Sequence, residues 1–90
     1  MEIRNFSAGD IVKHFKYERL SETEKKQGMC QYEIICEGEN TKTGEIFVVY
    51  KSLYDGKVFV RPVASFYSEV DKNKYYYIQQ QYKFELMDER

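Results

Sequence analysis

Arg61, immediately before the chain's one proline at Pro62, is the residue best suited to chemistry. A guanidinium is a planar fork of donors that matches a carboxylate or a phosphate. It belongs to the stretch "FVVYKSLYDGKVFVRPVASFY", Phe47 to Tyr67, which also carries Tyr50, Tyr54 and Phe66. His14, the sole histidine, has Lys16 two residues on. An imidazole titrates near neutrality and can serve as a ligand contact or a general base. Catalysis would need a nucleophile or an oriented water beside it, and no motif supplies one. The chain has no phosphate-binding glycine loop, no nucleophile elbow and no HExxH. The candidate ligand-binding set is therefore His14, Lys16, Tyr50, Tyr54, Arg61 and Phe66. No catalytic residue, metal ligand or cofactor is expected.

The run "YYYIQQQY", residues 75–82, allows a second chemistry. Alternate tyrosines on a strand can stack nucleotide bases, with Lys72, Lys74 and Lys83 nearby for the backbone. The plainer reading is a long strand with one aromatic face packed and one wet. Three consecutive glutamines, Gln79 to Gln81, also invite edge pairing, so a monomer or a weak dimer through the C-terminal strand is expected. Carboxylate pairs such as Glu22/Glu24 and Glu37/Glu39 read as solvated charge.

Composition limits these options. Ninety residues make one domain, 1–90, able to bury one core. An apolar fraction of 42% with 17% aromatic excludes disorder. Nine tyrosines against no tryptophan suit half-buried strand positions, with rings packed and hydroxyls wet. A net charge of −1 disfavours a general nucleic-acid binder and leaves room only for a local basic patch. No apolar run approaches the ~20 residues needed to span a bilayer, so no membrane is expected. The start, "MEIRNFSAGD", lacks a leader's apolar segment, which predicts a cytoplasmic protein. Cys30 and Cys36 on one strand would stand ~20 Å apart, too far for a disulfide. No CxxC or Cys/His cluster offers a zinc site.

Strand signals dominate the elements that must position these side chains. "DIVKHFKYERL", "MCQYEIICEGE", "GEIFVVYKSLY", "KVFVRP" and "YYYIQQQYKFELM" read as strands. In the second, Tyr32, Ile34 and Cys36 share one side. In the last, Tyr76, Ile78, Tyr82, Phe84 and Leu86 share one parity. "YDGK" reads as a two-residue hairpin turn. That register pairs Tyr50 with Arg61 and puts Val49, Leu53, Val58 and Val60 on the core face. The opposite face would then be a partly exposed surface of Tyr50, Ser52, Tyr54, Phe59 and Arg61. Pro62 should end its strand, with a helical turn over Ala64 to Phe66. The segment 20–29 reads as an exposed insertion, although Ser21 and Glu24 match a capping box. No segment has the length and period of an amphipathic helix.

"KHFK", "FVVYKSLY", "VRPVASF" and "YKFELM" resemble the pattern of an uncharacterised bacterial family of small domains, domain of unknown function 1653. The resemblance covers about residues 9–86. It rests on His14, Phe15, Lys16, Val48, Val49, Tyr50, Leu53, Tyr54, Arg61, Pro62, Phe66 and Phe84. It implies an SH3-like β-barrel and no established activity. The chain departs from the pattern at Tyr17, where the family has glycine. It departs again at Asn40-Thr41-Lys42-Thr43, where the family has His-Ser/Thr-Glu-Thr. Lys83 stands in place of an arginine.

Together these readings predict an all-β, SH3-like barrel of five to six short antiparallel strands, with at most one short helical or 3₁₀ turn. The expected function is a non-catalytic binding or accessory module for a protein, a peptide or a small anionic ligand. The alternatives are a single-stranded nucleic-acid binder and, last, a small His14-dependent enzyme.

Overall fold

A computed structural model describes residues 6–87; residues 1–5 and 88–90 of the expected domain span lie outside the described residues. Five strands form one antiparallel sheet. They are β1 (Ile11–His14), β2 (Gln31–Glu39), β3 (Ile46–Ser52), β4 (Val58–Pro62) and β5 (Phe84–Leu86). Their order is β4-β3-β2-β1-β5, which makes β4 and β5 the edges. The all-β class read from the sequence is the class observed. Where at most one helical turn is expected there are three: a 3₁₀ turn over Phe15–Arg19, which the His14 side chain caps and which cuts short the strand read over residues 10–20, and two short helices, α1 (Glu22–Lys26) and α2 (Val63–Phe66).

The β3–β4 hairpin differs from the two-residue turn that Asp55-Gly56 suggests. Tyr50 stands opposite Phe59, and Val48 opposite Arg61. The register is therefore two residues away from the expected one, with a longer loop over 53–56. Ser52 explains the difference. Its Oγ accepts from the backbone N–H groups of Tyr54 (3.1 Å) and Asp55 (3.4 Å), and its own N–H donates to Lys57 O. A hydroxyl that satisfies loop amides stabilises a wider turn than the Asp-Gly pair alone would choose.

A shift of two preserves which residues share a face, but the buried face is the other one. Val48, Tyr50 and Ser52 are buried, whereas Val58 and Val60 are 59% and 62% exposed and Leu53 is exposed as well. Sheet faces are decided by what covers them. Here α2 brings Phe66, and β5 brings Phe84, onto the Tyr50 side. The core is Val12, Ile34, Val48, Tyr50, Phe66 and Phe84. Phe66 and Phe84 stack at 4.2 Å with ring planes 8° apart.

Pro62 ends β4 on an edge, where its missing N–H costs no ladder bond, and α2 follows at once. In β2 a bulge inserts Ile35 between Ile34 and Cys36. It moves Cys36 off the side shared by Tyr32 and Ile34, and Cys36 is exposed. Both cysteines carry free thiols.

The largest departure is at the C-terminal tyrosines. Residues 75–83 are irregular, and only Phe84–Leu86 extend as a strand. Side chains hold this segment in place of the expected ladder. The Glu18 carboxylate accepts from the N–H groups of Gln79 (2.8 Å) and Gln80 (3.0 Å). The Glu85 carboxylate accepts from those of Gln81 and Tyr82. Buried Gln80 donates through Nε2 to Lys13 O and Tyr82 O. The segment closes over a second small core of Phe15, Val70 and Ile78, with Tyr75 against it.

The insertion at 20–29 folds as α1 with both ends capped. The Ser21 side chain accepts from Glu24 N–H, and the Glu24 carboxylate accepts from Ser21 N–H. At the other end Met29 N–H donates to Glu24 O and Gly28 N–H to Lys25 O, the double bond pattern of a glycine-terminated helix. Gly28 has φ of +89°, and a Cβ there would lie 3.0 Å from the backbone carbon and oxygen of Leu53. Gly28→Ala is expected to lower stability by about 2 kcal/mol, from left-handed strain plus that contact. Urea denaturation measures it; a loss below about 0.5 kcal/mol would mean that the β3–β4 loop yields freely.

Candidate functional site

His14 closes β1 opposite Phe84 of β5. Its ring packs on Phe15 (centroids 4.3 Å) and meets Phe84 edge-on at 5.2 Å. Nδ1 accepts from the backbone N–H of Lys16 at 3.2 Å and caps the 3₁₀ turn. The neutral ring is thereby fixed with its proton on Nε2, a donor. Burial first, then the charges of Arg61, Lys16 and Lys83, lower its pKa to about 4. At neutral pH His14 is an uncharged donor among cations.

Arg61 stands diagonal to Tyr50 across the β3–β4 ladder rather than directly opposite. Its Nε donates to the Tyr50 hydroxyl at 3.3 Å. Its guanidinium carbon lies 5.4 Å from the centroid of the Phe84 ring. The expected Tyr50–Arg61 contact thus exists as a hydrogen bond, and the cation–π contact goes to Phe84. Anchored at Nε and over a ring, the fork leaves its terminal nitrogens for the cavity that Arg61 lines.

That cavity has a volume of about 340 Å³. His14, Lys16 and Arg61 of the candidate set line it, joined by Lys74 and Lys83. Asp71 is the acid in its lining. Asp71 is engaged in its own turn, Oδ1 accepting from Asn73 N–H at 3.1 Å. Lys16 and Lys74 place their Nζ atoms 6.0 and 5.4 Å from the centroid of the Tyr75 ring. Among the described residues, the side-chain contacts seen for Lys16, Lys74 and Arg61 are thus with rings and a hydroxyl. The cavity gathers four cationic side chains in a chain whose net charge is −1.

The remaining candidates stand elsewhere. Tyr50 lies beneath Arg61 in the core, 5% exposed, and positions the guanidinium. Phe66 is fully buried against Phe84. Tyr54 sits in the β3–β4 loop, 54% exposed. Asn40, one of the departures from the resembled pattern, closes the β2–β3 loop: its Oδ1 accepts from Lys42 N–H and Thr43 N–H.

A second concavity, about 640 Å³, adjoins the first. The two share Phe15, Lys16 and Tyr75 as a common wall. Tyr76 and Tyr77 line the far side, their planes at 89° and centroids 5.5 Å apart. The Arg19 guanidinium lies 5.2 Å from the Tyr77 ring centroid.

Sequence reasoning does not assign Asp71, Lys74, Tyr75 and Lys83 to the Arg61 site. A signal exists for Lys83, a base where the resembled pattern also has a base. Lys74 and Tyr75 are brought in by a turn at 71–75, in which Asp71 O accepts from both of their N–H groups. Among the described residues no cluster of His, Cys, Asp and Glu could hold a metal ion, and no helix is long and apolar enough to cross a membrane.

A family model described as a protein of unknown function (DUF1653) matches residues 10–85, within one residue of the resembling span at each end. Neither a curated protein nor a solved structure matches the chain.

Proposed function

We propose that the chain, which belongs to the DUF1653 family, is a non-catalytic module that binds an anionic ligand in the cavity under Arg61. The observation that carries this reading is the gathering of Lys16, Arg61, Lys74 and Lys83 around one concavity of about 340 Å³. Like charges repel, and the single carboxylate of Asp71 in the lining offsets only part of the four, so a further anion is favoured there. An anion there meets an anchored guanidinium fork, flexible ammonium groups and the neutral His14 donor. A cavity of this size is at the small end of ligand sites and suits a phosphate or carboxylate group better than a long chain.

Arg61→Ala tests the reading with pyrophosphate as the probe. Calorimetric titration at low salt should show binding to the wild type that weakens as salt is raised. The variant should bind at least tenfold more weakly, since it loses a charge-assisted fork. Its thermal midpoint should fall by only a few degrees, through loss of the Tyr50 bond and the Phe84 contact. Equal pyrophosphate affinity in both proteins, or none in the wild type, would overturn the assignment. Unfolding of the variant would make Arg61 a structural residue, and Lys83→Ala would then decide the site by the same titration.

A further inference from the structure

The cationic cavity and the tyrosine groove share one wall, and their chemistries are complementary halves. The cavity side offers Arg61, Lys74 and Lys83. The groove side offers Tyr76 and Tyr77, with Arg19 against the Tyr77 ring. Lys16, on the shared wall, faces both. Resting on the anion-binding reading above, we propose that the ligand is a 5′-nucleotide unit. Its phosphate occupies the cavity at Arg61 and its base lies in the groove at Tyr76, Tyr77 and Arg19.

Three observations select a planar ring over another apolar body. Tyr76 is 82% exposed and Tyr77 46%, although each carries a large ring. Exposed rings beside an arginine plane are the surfaces on which bases stack. The Tyr75, Tyr76 and Tyr77 rings do not pile on one another. Tyr75 meets Tyr77 at 67°, and Tyr76 meets Tyr77 at 89°. They meet edge to face and so form no closed parallel stack. Finally, the groove lining holds Lys16 and Arg19 and no acid, and the adjacent Glu18 carboxylate is taken up by two backbone amides, so cations line both halves. A body that is itself anion-linked is favoured along the whole path. The tyrosine segment is also braced from below. Glu18 holds the Gln79 and Gln80 amides just beyond Tyr77, so the backbone that carries these rings is tied down on that side.

The test is a titration series on the full chain, read by calorimetry and by tyrosine fluorescence. The probes are AMP, ribose 5-phosphate, adenosine, octyl phosphate and pyrophosphate. AMP should bind about tenfold or more tightly than ribose 5-phosphate, by the stacking of one base. Tyr76→Ala removes a highly exposed ring and should fold normally. It should erase most of that margin while leaving pyrophosphate affinity unchanged. Equal affinity for AMP and ribose 5-phosphate, with pyrophosphate still bound, would overturn this inference and leave the anion reading standing. Octyl phosphate binding more tightly than AMP would overturn it as well, assigning the groove to an alkyl chain. No binding of pyrophosphate or any phosphate ester would overturn both readings together. A 5′-phosphorylated oligoadenylate distinguishes the two sources of the unit. Tighter binding than AMP by more than about tenfold would support a strand end, and equal binding a free nucleotide.

Discussion

Phe66→Ala is expected to remove about 3–5 kcal/mol of folding stability, more than any other substitution proposed for this domain. Phe66 has no exposed surface and stacks on Phe84, itself 1% exposed. The Tyr50 ring lies 5.2 Å from Phe66 and 5.6 Å from Phe84, so the three rings form one block. Removing one ring of that block loses ring burial and leaves a void that α2 and β5 cannot both move to fill. A domain of this size has only about 5–15 kcal/mol in total, so the variant should be largely unfolded by mild heating or low urea. Loss of the aromatic near-ultraviolet dichroism against urea gives the measurement. Phe66→Leu should recover much of the loss, because it keeps apolar volume. Tyr54→Ala, in the exposed loop, should change stability by less than about 0.5 kcal/mol. A loss under about 1 kcal/mol for Phe66→Ala would mean that the block is not what holds the sheet to α2.

The contrast between Phe66 and Tyr54 shows where the sequence is legible. Both belong to the resembled pattern, and by residue type both read as parts of one binding surface. The end of β4 at Pro62, a helical turn ending at Phe66 and the capping pair Ser21 and Glu24 follow from local chemistry, whereas the strands read over residues 10–20 and 75–87 are realised only as Ile11–His14 and Phe84–Leu86. The hairpin register does not follow, because the serine hydroxyl of Ser52 competes with an Asp-Gly preference and only the folded loop decides. The buried face does not follow either. Val49, Val58 and Val60 are as apolar as a core face should be, yet α2 and β5 land on the other side. Likewise the alternation of "YYYIQQQYKFELM" is a true β pattern. It is overridden by carboxylates at Glu18 and Glu85 that take the amides a neighbouring strand would have taken. Of the site, Arg61, His14 and Lys16 are legible by residue type. Lys74 and Lys83 are not, because nothing local says that residues so far along the chain return to β1 and β4.

His14 carries the second large expectation, and it concerns pH. Its folded pKa of about 4 lies below the ordinary 6.5, held there by burial and by Arg61, Lys16 and Lys83. Between those values the unfolded chain binds the proton and the folded domain refuses it. Stability therefore rises with pH from about 4 to 6.5 and is flat above, as far as this group is concerned. Read downward, acidification through that window removes up to about 3 kcal/mol, or about 2 once the ring's partial exposure to solvent is allowed for. His14→Gln has no such proton to bind and can still accept from Lys16 N–H, so its acid limb should be flatter by that amount. The same electrostatics couples the ring to the cavity. A bound anion offsets the three cations that suppress the imidazolium, so pyrophosphate should raise the His14 pKa. By reciprocity pyrophosphate should then bind more tightly as pH falls from the raised pKa of the bound state towards about 4, opposite in sign to the stability of the free domain. An NMR titration of the His14 ring with and without pyrophosphate reads both effects. A free-domain pKa near the ordinary 6.5 would show that the ring is neither desolvated nor crowded by cations. A depressed pKa that pyrophosphate leaves unmoved would separate His14 from the anion site and put the ligand nearer Lys74 than Arg61.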